Sequence, residues 1–266
     1  MTPVSTAILE AFNASNVDDK VNLTRKAARE WFAGELSFEF KISPPDRPGR
    51  PVKPELIAPQ DMPRRRNAKA RAARIAMLHA IAHIELNAID LALDIVVRFG
   101  KGMPKEFTDD WIKVADDEAR HFILLNNLLI EFDSFYGAMP AHDGLWQSAA
   151  NTAHDLLARL AIVPLVLEAR GLDVTPAIIK KFQAADDQKS VEALKIIYQE
   201  EIHHVRAGQC WFNYLCKNKN LNPEQTYHKL VNQYFTGKLK PPFNIEARNE
   251  AGLEETFYMP LVQSNN

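Results

Sequence analysis

The sequence has 266 residues, of which 46% are hydrophobic and 25% are charged, with only ten glycines. This composition excludes disordered, collagenous and disulfide-stapled chains and predicts a globular protein. The 32 basic and 34 acidic residues give a net charge of -2, which argues against nucleic-acid or lipid binding by the whole surface, so any basic site must be local.

Targeting signals and disulfides are not expected. No stretch approaches the length of a membrane-spanning helix, and the N-terminus lacks the basic and apolar regions of a secretory signal. Cys210 and Cys216 lie six positions apart in one helical pattern, which turns them to different faces. We therefore expect a cytoplasmic protein with reduced thiols and no membrane partner.

The N-terminal part has two sections. Residues 5–40 carry apolar residues three and four apart, which predicts helix. Seven prolines then occur between Ser43 and Pro63, and this density predicts an extended arm that either wraps over the core or serves as a linker. We assign residues 1–63 to this helical segment and proline-rich arm.

Four long helical patterns follow the arm and predict an all-α fold with a four-helix core. They cover about residues 64–99, 108–135, 145–170 and 187–217. Pro164 should kink the third helix, and Gly171 should end it. We assign residues 64–217 to the bundle and 218–266 to a C-terminal helix, at 223–235, and an irregular tail that pack on the bundle.

One glutamate lies at an interior position of each long helix, where an unpaired charge would cost several kcal/mol. The four are Glu85, Glu118, Glu168 and Glu201. His121 and His204 follow the second and fourth of them by three residues, on the same helical face. The interval from Glu85 to Glu118 is 33 residues, as is that from Glu168 to Glu201. A duplicated helical hairpin carrying a two-metal carboxylate site has this pattern.

Two alternatives to these ligands remain open. A single buried glutamate–histidine pair is more often a structural hydrogen-bonded couple than a metal site. On the fourth helix, Glu200 and His203 have the same spacing as Glu201 and His204. The repeated interval and the neighbouring apolar residues favour Glu201 and His204.

Several segments resemble an uncharacterised ferritin-like, di-iron carboxylate family related to tRNA-modifying di-iron hydroxylases. The segments are MLHAIAHIELNAIDLALD (77–94), ADDEARHF (115–122), HDGLW with DLLARLAIVPLVLEARGLDVTP (142–176), QEEIHHV (199–205) and, more weakly, PFNIEARNEAG (242–252). The resemblance implies a ferritin-like four-helix bundle with N- and C-terminal extensions. It implies two iron ions, or manganese, bound by Glu85, Glu118, His121, Glu168, Glu201 and His204. It further implies that Asp117 and Glu200 orient the ligating rings of His204 and His121, respectively.

These observations favour an oxidoreductase that activates dioxygen to hydroxylate or oxidise an unidentified substrate, with an electron donor as partner. Relatedness to tRNA hydroxylases suggests a modified nucleoside, or RNA itself, as one substrate class beside small molecules. The alternatives are a ferroxidase or iron-handling protein, and a metal-stabilised scaffold without catalysis. Tyr198, three residues before Glu201, is the candidate catalytic side chain, although packing is the commoner role for such a residue.

The remaining polar residues have simpler interpretations. One basic cluster, at a predicted helix N-terminus, invites an anionic partner, although a solvated face or internal salt bridges are the commoner explanation. Its members are Arg64, Arg65, Arg66, Lys69, Arg71 and Arg74. His83 should point away from Glu85 and contact another helix or the arm. His79 should be structural, and His142 is a candidate cavity residue.

Overall fold

The computed structural model describes residues 1–62 and 70–263, and these residues are mostly helical, which confirms the all-α class. The helices are α1 (Val4–Asn13), α2 (Val17–Phe32), α3 (Arg71–Phe99), α4 (Lys105–Glu131), α5 (Gly144–Asn151), α6 (Leu156–Ile162), α7 (Ala169–Gln183), α8 (Gln188–Asn218), α9 (Pro223–Tyr234), α10 (Ile245–Glu250) and α11 (Glu255–Gln263). Two short strands, β1 (Thr2–Pro3) and β2 (Leu36–Ser37), pair in parallel. Within the described ranges, no helix combines the length and apolar character needed to cross a bilayer.

The chain divides into two compact units. The first contains Met1–Trp146 and Ala184–Ala193, and the second contains Gln147–Gln183 and Leu194–Asn266. In the first unit, α3 packs most extensively on α4, while α1 and α2 cover this pair. In the second unit, α6 packs on α9, and α9 packs on α11.

Helix α3 is the centre of the first unit, and every residue from Glu85 to Val97 is buried. The buried polar side chains of this run have partners. Asp90 receives the ammonium of Lys20 at 2.6 Å and faces the guanidinium of Arg50 at 3.2 Å. Burial lowers the pKa of Lys20, whereas the charge of Asp90 acts to raise it. This ion pair fixes α2 to α3 and keeps a desolvated lysine compatible with the core.

Helix α2 ends earlier than the predicted helix over residues 5–40. Gly34 has a φ of 74°, and its N–H donates to the carbonyl of Trp31, while Glu35 N–H donates to the carbonyl of Glu30. This pair of bonds is a Schellman ending, which glycine permits because it has no Cβ. The chain therefore reverses after Phe32 and continues as β2.

The proline-rich arm is extended, as predicted, and it lies over helices of the first unit. The N–H of Gly49 donates to the carbonyl of Phe12 at 2.9 Å, and Arg50 donates to Asn87 on α3 at 2.7 Å. Farther along, the N–H of Ile57 donates to the carbonyl of Ala141. The arm therefore wraps over the core of the first unit rather than serving as a linker.

The boundaries of the first two long helices differ from their predictions. Helix α3 is described from Arg71, and the predicted start at Arg64 lies outside the described residues. Helix α4 begins at Lys105, directly after Pro104, rather than near Thr108. Thr108 is fully buried inside the helix and does not cap it, and Pro104 is the residue that precedes the first turn.

The third predicted helix, over residues 145–170, is interrupted twice. Residues 152–155 break it, and the side chain of Asp155 caps α6 by accepting from Leu157 N–H. The chain then widens into a π-helical segment, Val163–Glu168, which contains Pro164. The expected kink thus takes the form of a π segment, where the missing proline N–H is accommodated. The predicted stop at Gly171 was wrong, because α7 continues to Gln183.

The later helices show two agreements and one correction. Helix α8, Gln188–Asn218, lies close to the predicted 187–217, and α9, Pro223–Tyr234, lies close to the predicted 223–235. The tail after α9 is not irregular throughout, since it contains α10 and α11. Arg248 on α10 forms a buried two-bond ion pair with Asp173 on α7, at 2.7 and 2.8 Å. This ion pair, rather than a periodic apolar face, positions this part of the tail.

Candidate metal centre

Three of the predicted ligands converge inside the first unit. Glu85 comes from α3, and Glu118 and His121 come from α4, at positions that share one helical face. Their exposed fractions are 3%, 0% and 0%. Each offers one ligand atom, and these atoms all lie within 4.8 Å of one another.

The ring of His121 lies between the two carboxylates. Its Nδ1 atom is 3.3 Å from an oxygen of Glu85 and 3.3 Å from an oxygen of Glu118. Burial raises the pKa of Glu85 well above its usual value, and the nearby carboxylate of Glu118 raises it further, while the hydrogen bond with His121 opposes both effects. Two carboxylates in such a position repel each other unless a proton or a cation lies between them.

This donor set fits a metal ion such as iron or manganese. Both metals accept carboxylate oxygen together with imidazole nitrogen, and a bound cation would favour the ionised form of Glu85 that burial disfavours. Two other buried acids on α3 pair with lysine or arginine rather than with histidine. Asp90 pairs with Lys20 and Arg50, and Asp94 pairs with Arg98 at 2.7 Å.

The other three predicted ligands lie in the second unit. On α8, Nδ1 of His204 is 3.7 Å from Oε1 of Glu201, and the His204 ring is 1% exposed. The structure therefore favours the Glu201 and His204 register, because His203 is exposed and its ring nitrogen faces Arg206. Glu168 is half-buried at the last position of the π segment.

Of the two predicted supporting residues, Asp117 has local partners. Asp117 is 5% exposed and accepts from Arg120 at 2.7 Å and from the ammonium of Lys113. Glu200 is half-buried on α8. The pairing of Asp117 with His204, and of Glu200 with His121, remains a prediction.

Tyr198, the candidate catalytic residue, is held by the C-terminal tail. Its hydroxyl accepts from the side-chain amide of Asn244 at 2.8 Å. Asn244 in turn donates to the carbonyl of Leu172, so the phenol joins α8 to α7 through the tail. This contact gives Tyr198 a structural role, and a catalytic role remains a prediction.

A histidine–tyrosine network involves His83, two residues before Glu85 on α3. Nδ1 of His83 is 2.7 Å from the hydroxyl of Tyr136, and Nε2 is 3.1 Å from the carbonyl of His142. Burial lowers the pKa of His83 to about 4. His79 accepts from the N–H of Gly137 and stacks on Tyr136, as suits a structural residue.

The polar role of His83 was predicted, but its partners were not. They belong to the connection between α4 and α5 rather than to another helix or the arm. Tyr136 was missed because a connecting segment has no periodicity to mark an inward-facing residue. His142, predicted as a cavity residue, lines a small cavity of about 100 Å³ together with His83.

The basic cluster is only partly described. Arg64, Arg65, Arg66 and Lys69 lie outside the described residues. Arg71 pairs with Asp133, and Arg74 pairs with Asp187, at 2.7 and 3.0 Å. These two arginines therefore form internal salt bridges, which were one of the commoner explanations for the cluster.

A protein family described as "Protein of unknown function (DUF455)" matches residues 13–259. The chain belongs to the DUF455 family. It is 42% identical over 211 residues to an "Uncharacterized protein" of Haemophilus influenzae (strain ATCC 51907 / DSM 11121 / KW20 / Rd). The aligned region covers 77% of this chain and 73% of the relative. No solved structure matches the chain. The DUF455 match spans both units and all six predicted ligands.

Proposed function

We propose that this protein is a di-iron carboxylate oxidoreductase with a ferritin-like four-helix bundle. The observation that carries the proposal is the buried convergence of Glu85, Glu118 and His121 from α3 and α4. A cation bound between these side chains would offset the mutual repulsion of the two acids.

The second half of the centre is proposed from the repeat. Glu168, Glu201 and His204 stand at the same sequence intervals as the first three residues, and the Glu201 and His204 side chains adjoin each other on α8. We propose that they supply the remaining ligands of a two-metal site. Iron or manganese would satisfy this donor set.

Iron held by these residues would supply redox chemistry with dioxygen, and an external electron donor would restore the ferrous state, so that an organic substrate is hydroxylated or oxidised and water is released. The residues of the chain hold the ions and exclude water. Glu118, His121 and Leu125 are fully buried on α4, and Phe122 is 2% exposed, which would shield a reactive oxidant. The substrate is proposed as a small molecule or a modified nucleoside, and RNA contact would use the basic cluster.

The proposal is tested by metal analysis of the full chain purified without chelators, followed by anaerobic ferrous loading and optical spectroscopy during exposure to dioxygen. We expect about two metal ions per chain and visible absorption that develops with oxygen and then decays. Less than one ion per chain, with no ferrous binding, would overturn the proposal.

The same measurements separate the two alternatives. Ferric iron that accumulates well beyond two ions per chain, in a large cage seen by size-exclusion chromatography, would indicate iron handling. Tightly bound ions that leave dioxygen unreacted would indicate a metal-stabilised scaffold.

A further inference from the structure

An open aromatic pocket lies in the first unit, built from the end of α2, the strand β2 and the start of α4. Its volume is about 280 Å³. It is lined by Trp31, Phe32, Gly34, Leu36, Phe38, Lys105 and Asp109. None of these residues belongs to the proposed metal centre.

The chain reversal at Gly34 creates this pocket. The Schellman ending of α2 returns the chain past Trp31, so that Phe38 packs against the indole with ring centroids 6.1 Å apart. Phe32 and Phe38 are nevertheless 55% and 41% exposed. Large aromatic side chains are usually buried, so two exposed aromatic rings that line the same pocket are unusual.

The charges in the pocket are arranged for a cation. The indole N–H of Trp31 donates to Oδ1 of Asp109 at 2.7 Å, which fixes the ring and the carboxylate together. The ammonium of Lys105 donates to the same oxygen at 2.7 Å and lies 4.5 Å from the centre of the indole ring. A carboxylate combined with aromatic faces is the usual recognition chemistry for alkylammonium groups.

Lys105 occupies this site against its local electrostatics. It is the first residue of α4, where the helix dipole disfavours a positive charge. Its side chain is 56% exposed, so it is loosely held and can leave the pocket without disrupting the core. The lysine ammonium thus shows which chemical group the pocket accepts.

We propose that this pocket binds the quaternary or methylated ammonium group of a small organic cation, which displaces the ammonium of Lys105. The aromatic faces of Trp31, Phe32 and Phe38 would contact the methyl groups, and Asp109 would supply the opposite charge. The proposal is independent of the metal centre.

The probe is tetramethylammonium, titrated into the 15N-labelled full chain while the indole N–H signal of Trp31 is followed by NMR. The variant Lys105→Met removes the tethered competitor, and we expect it to bind the probe about tenfold more tightly than the wild type. Lys101→Met is the matched control, because it removes the same charge from an exposed lysine that does not line the pocket. Equal affinities for the two variants would overturn the proposal.

Two further measurements separate an ammonium site from a merely apolar pocket. Adding Asp109→Asn to Lys105→Met keeps an acceptor for the indole N–H but removes the charge, so the affinity should fall about tenfold. An unchanged affinity would contradict the assigned role of Asp109. The neutral alcohol tert-butanol resembles the probe in size, and equally tight binding of it would overturn recognition of a cation.

Discussion

The Nδ1 atom of His121 lies 3.3 Å from a carboxylate oxygen of Glu85, although the two residues are 36 positions apart in the sequence. Glu118 stands at the same distance from this ring atom, so two buried acids share one imidazole. This geometry makes the carboxylate of Glu118 a direct test of metal binding.

Glu118→Gln should abolish stabilisation by metal, because the amide lacks the negative charge with which the carboxylate would bind a cation. Ferrous or manganous ions should raise the melting temperature of the wild type but not that of the variant. Thermal denaturation with chelator and with added metal measures this difference.

The control for this experiment is Glu106→Gln, which removes an exposed acid from the first turn of the same helix. It should retain the metal response. If Glu118→Gln kept the metal response, the assignment of Glu118 as a ligand would be wrong.

Acid should weaken the fold through His83. The pKa of this ring falls to about 4 because burial disfavours its charge, whereas an unfolded histidine titrates near its ordinary value of 6.5. Between these values only the unfolded chain takes up the proton, so stability falls as the pH is lowered from about 6.5 to about 4 and is not lost further below that. The expected loss is about 3 kcal/mol.

The measurement is urea unfolding at several pH values with chelator present, for the wild type and for His83→Gln. The variant lacks the titrating ring, so the difference in unfolding free energy between the two proteins should change across this interval. Two parallel pH profiles would mean that His83 takes up its proton in the folded state as readily as in the unfolded chain.

The buried ion pair between Lys20 and Asp90 should be sensitive to loss of one partner. Asp90→Asn keeps the shape of the side chain but leaves the ammonium of Lys20, which is 1% exposed, without its counter-charge. We expect the free energy of unfolding to fall by about 3–5 kcal/mol, measured in urea. Asp133→Asn, at an acid whose side chain is 89% exposed, should change it by less than about 1 kcal/mol. A loss below about 1 kcal/mol in Asp90→Asn would show that Lys20 does not depend on Asp90.

Two glycines on α8 and α7 should respond oppositely to alanine. A Cβ at Gly208 would lie 2.4 Å from Cβ of Pro164 in the π segment, so Gly208→Ala should destabilise the second unit by about 1–3 kcal/mol. At Gly171 no atom lies within 4 Å, and Gly171→Ala should raise the free energy of unfolding by about 0.5–1 kcal/mol because alanine favours helix. Urea unfolding of both variants measures this contrast, and equal effects would contradict the close packing at Pro164.

The features that the sequence predicted correctly are those with a long local signature. The extent of α8 and the end of α3 at Phe99 follow from an apolar periodicity that continues without a break to the end of each helix. The convergence of Glu85 with Glu118 and His121 follows from acids at interior positions of adjacent helices. These signals lie within one helix or one helical hairpin.

Features that depend on distant partners were not predictable. Lys20 and Asp90 are 70 residues apart, and neither has a local feature that identifies the other. The partners of His83 belong to a connection without periodicity. The continuation of α7 through Gly171 depends on packing that overrides the helix-breaking tendency of glycine.

The π segment at residues 163–168 changes how spacing along this chain translates into direction. Counting back from Glu168 in steps of 3.6 residues gives the wrong angular position, because each turn of a π-helix contains an additional residue. A homologue with one residue fewer between Val163 and Glu168 would return to ordinary α-helical winding with the glutamate at nearly the same angle around the axis, because the lost residue and the lost widening of the turn compensate each other. A one-residue gap in this interval of an alignment is therefore compatible with an unchanged direction of the carboxylate and with intact flanking helices.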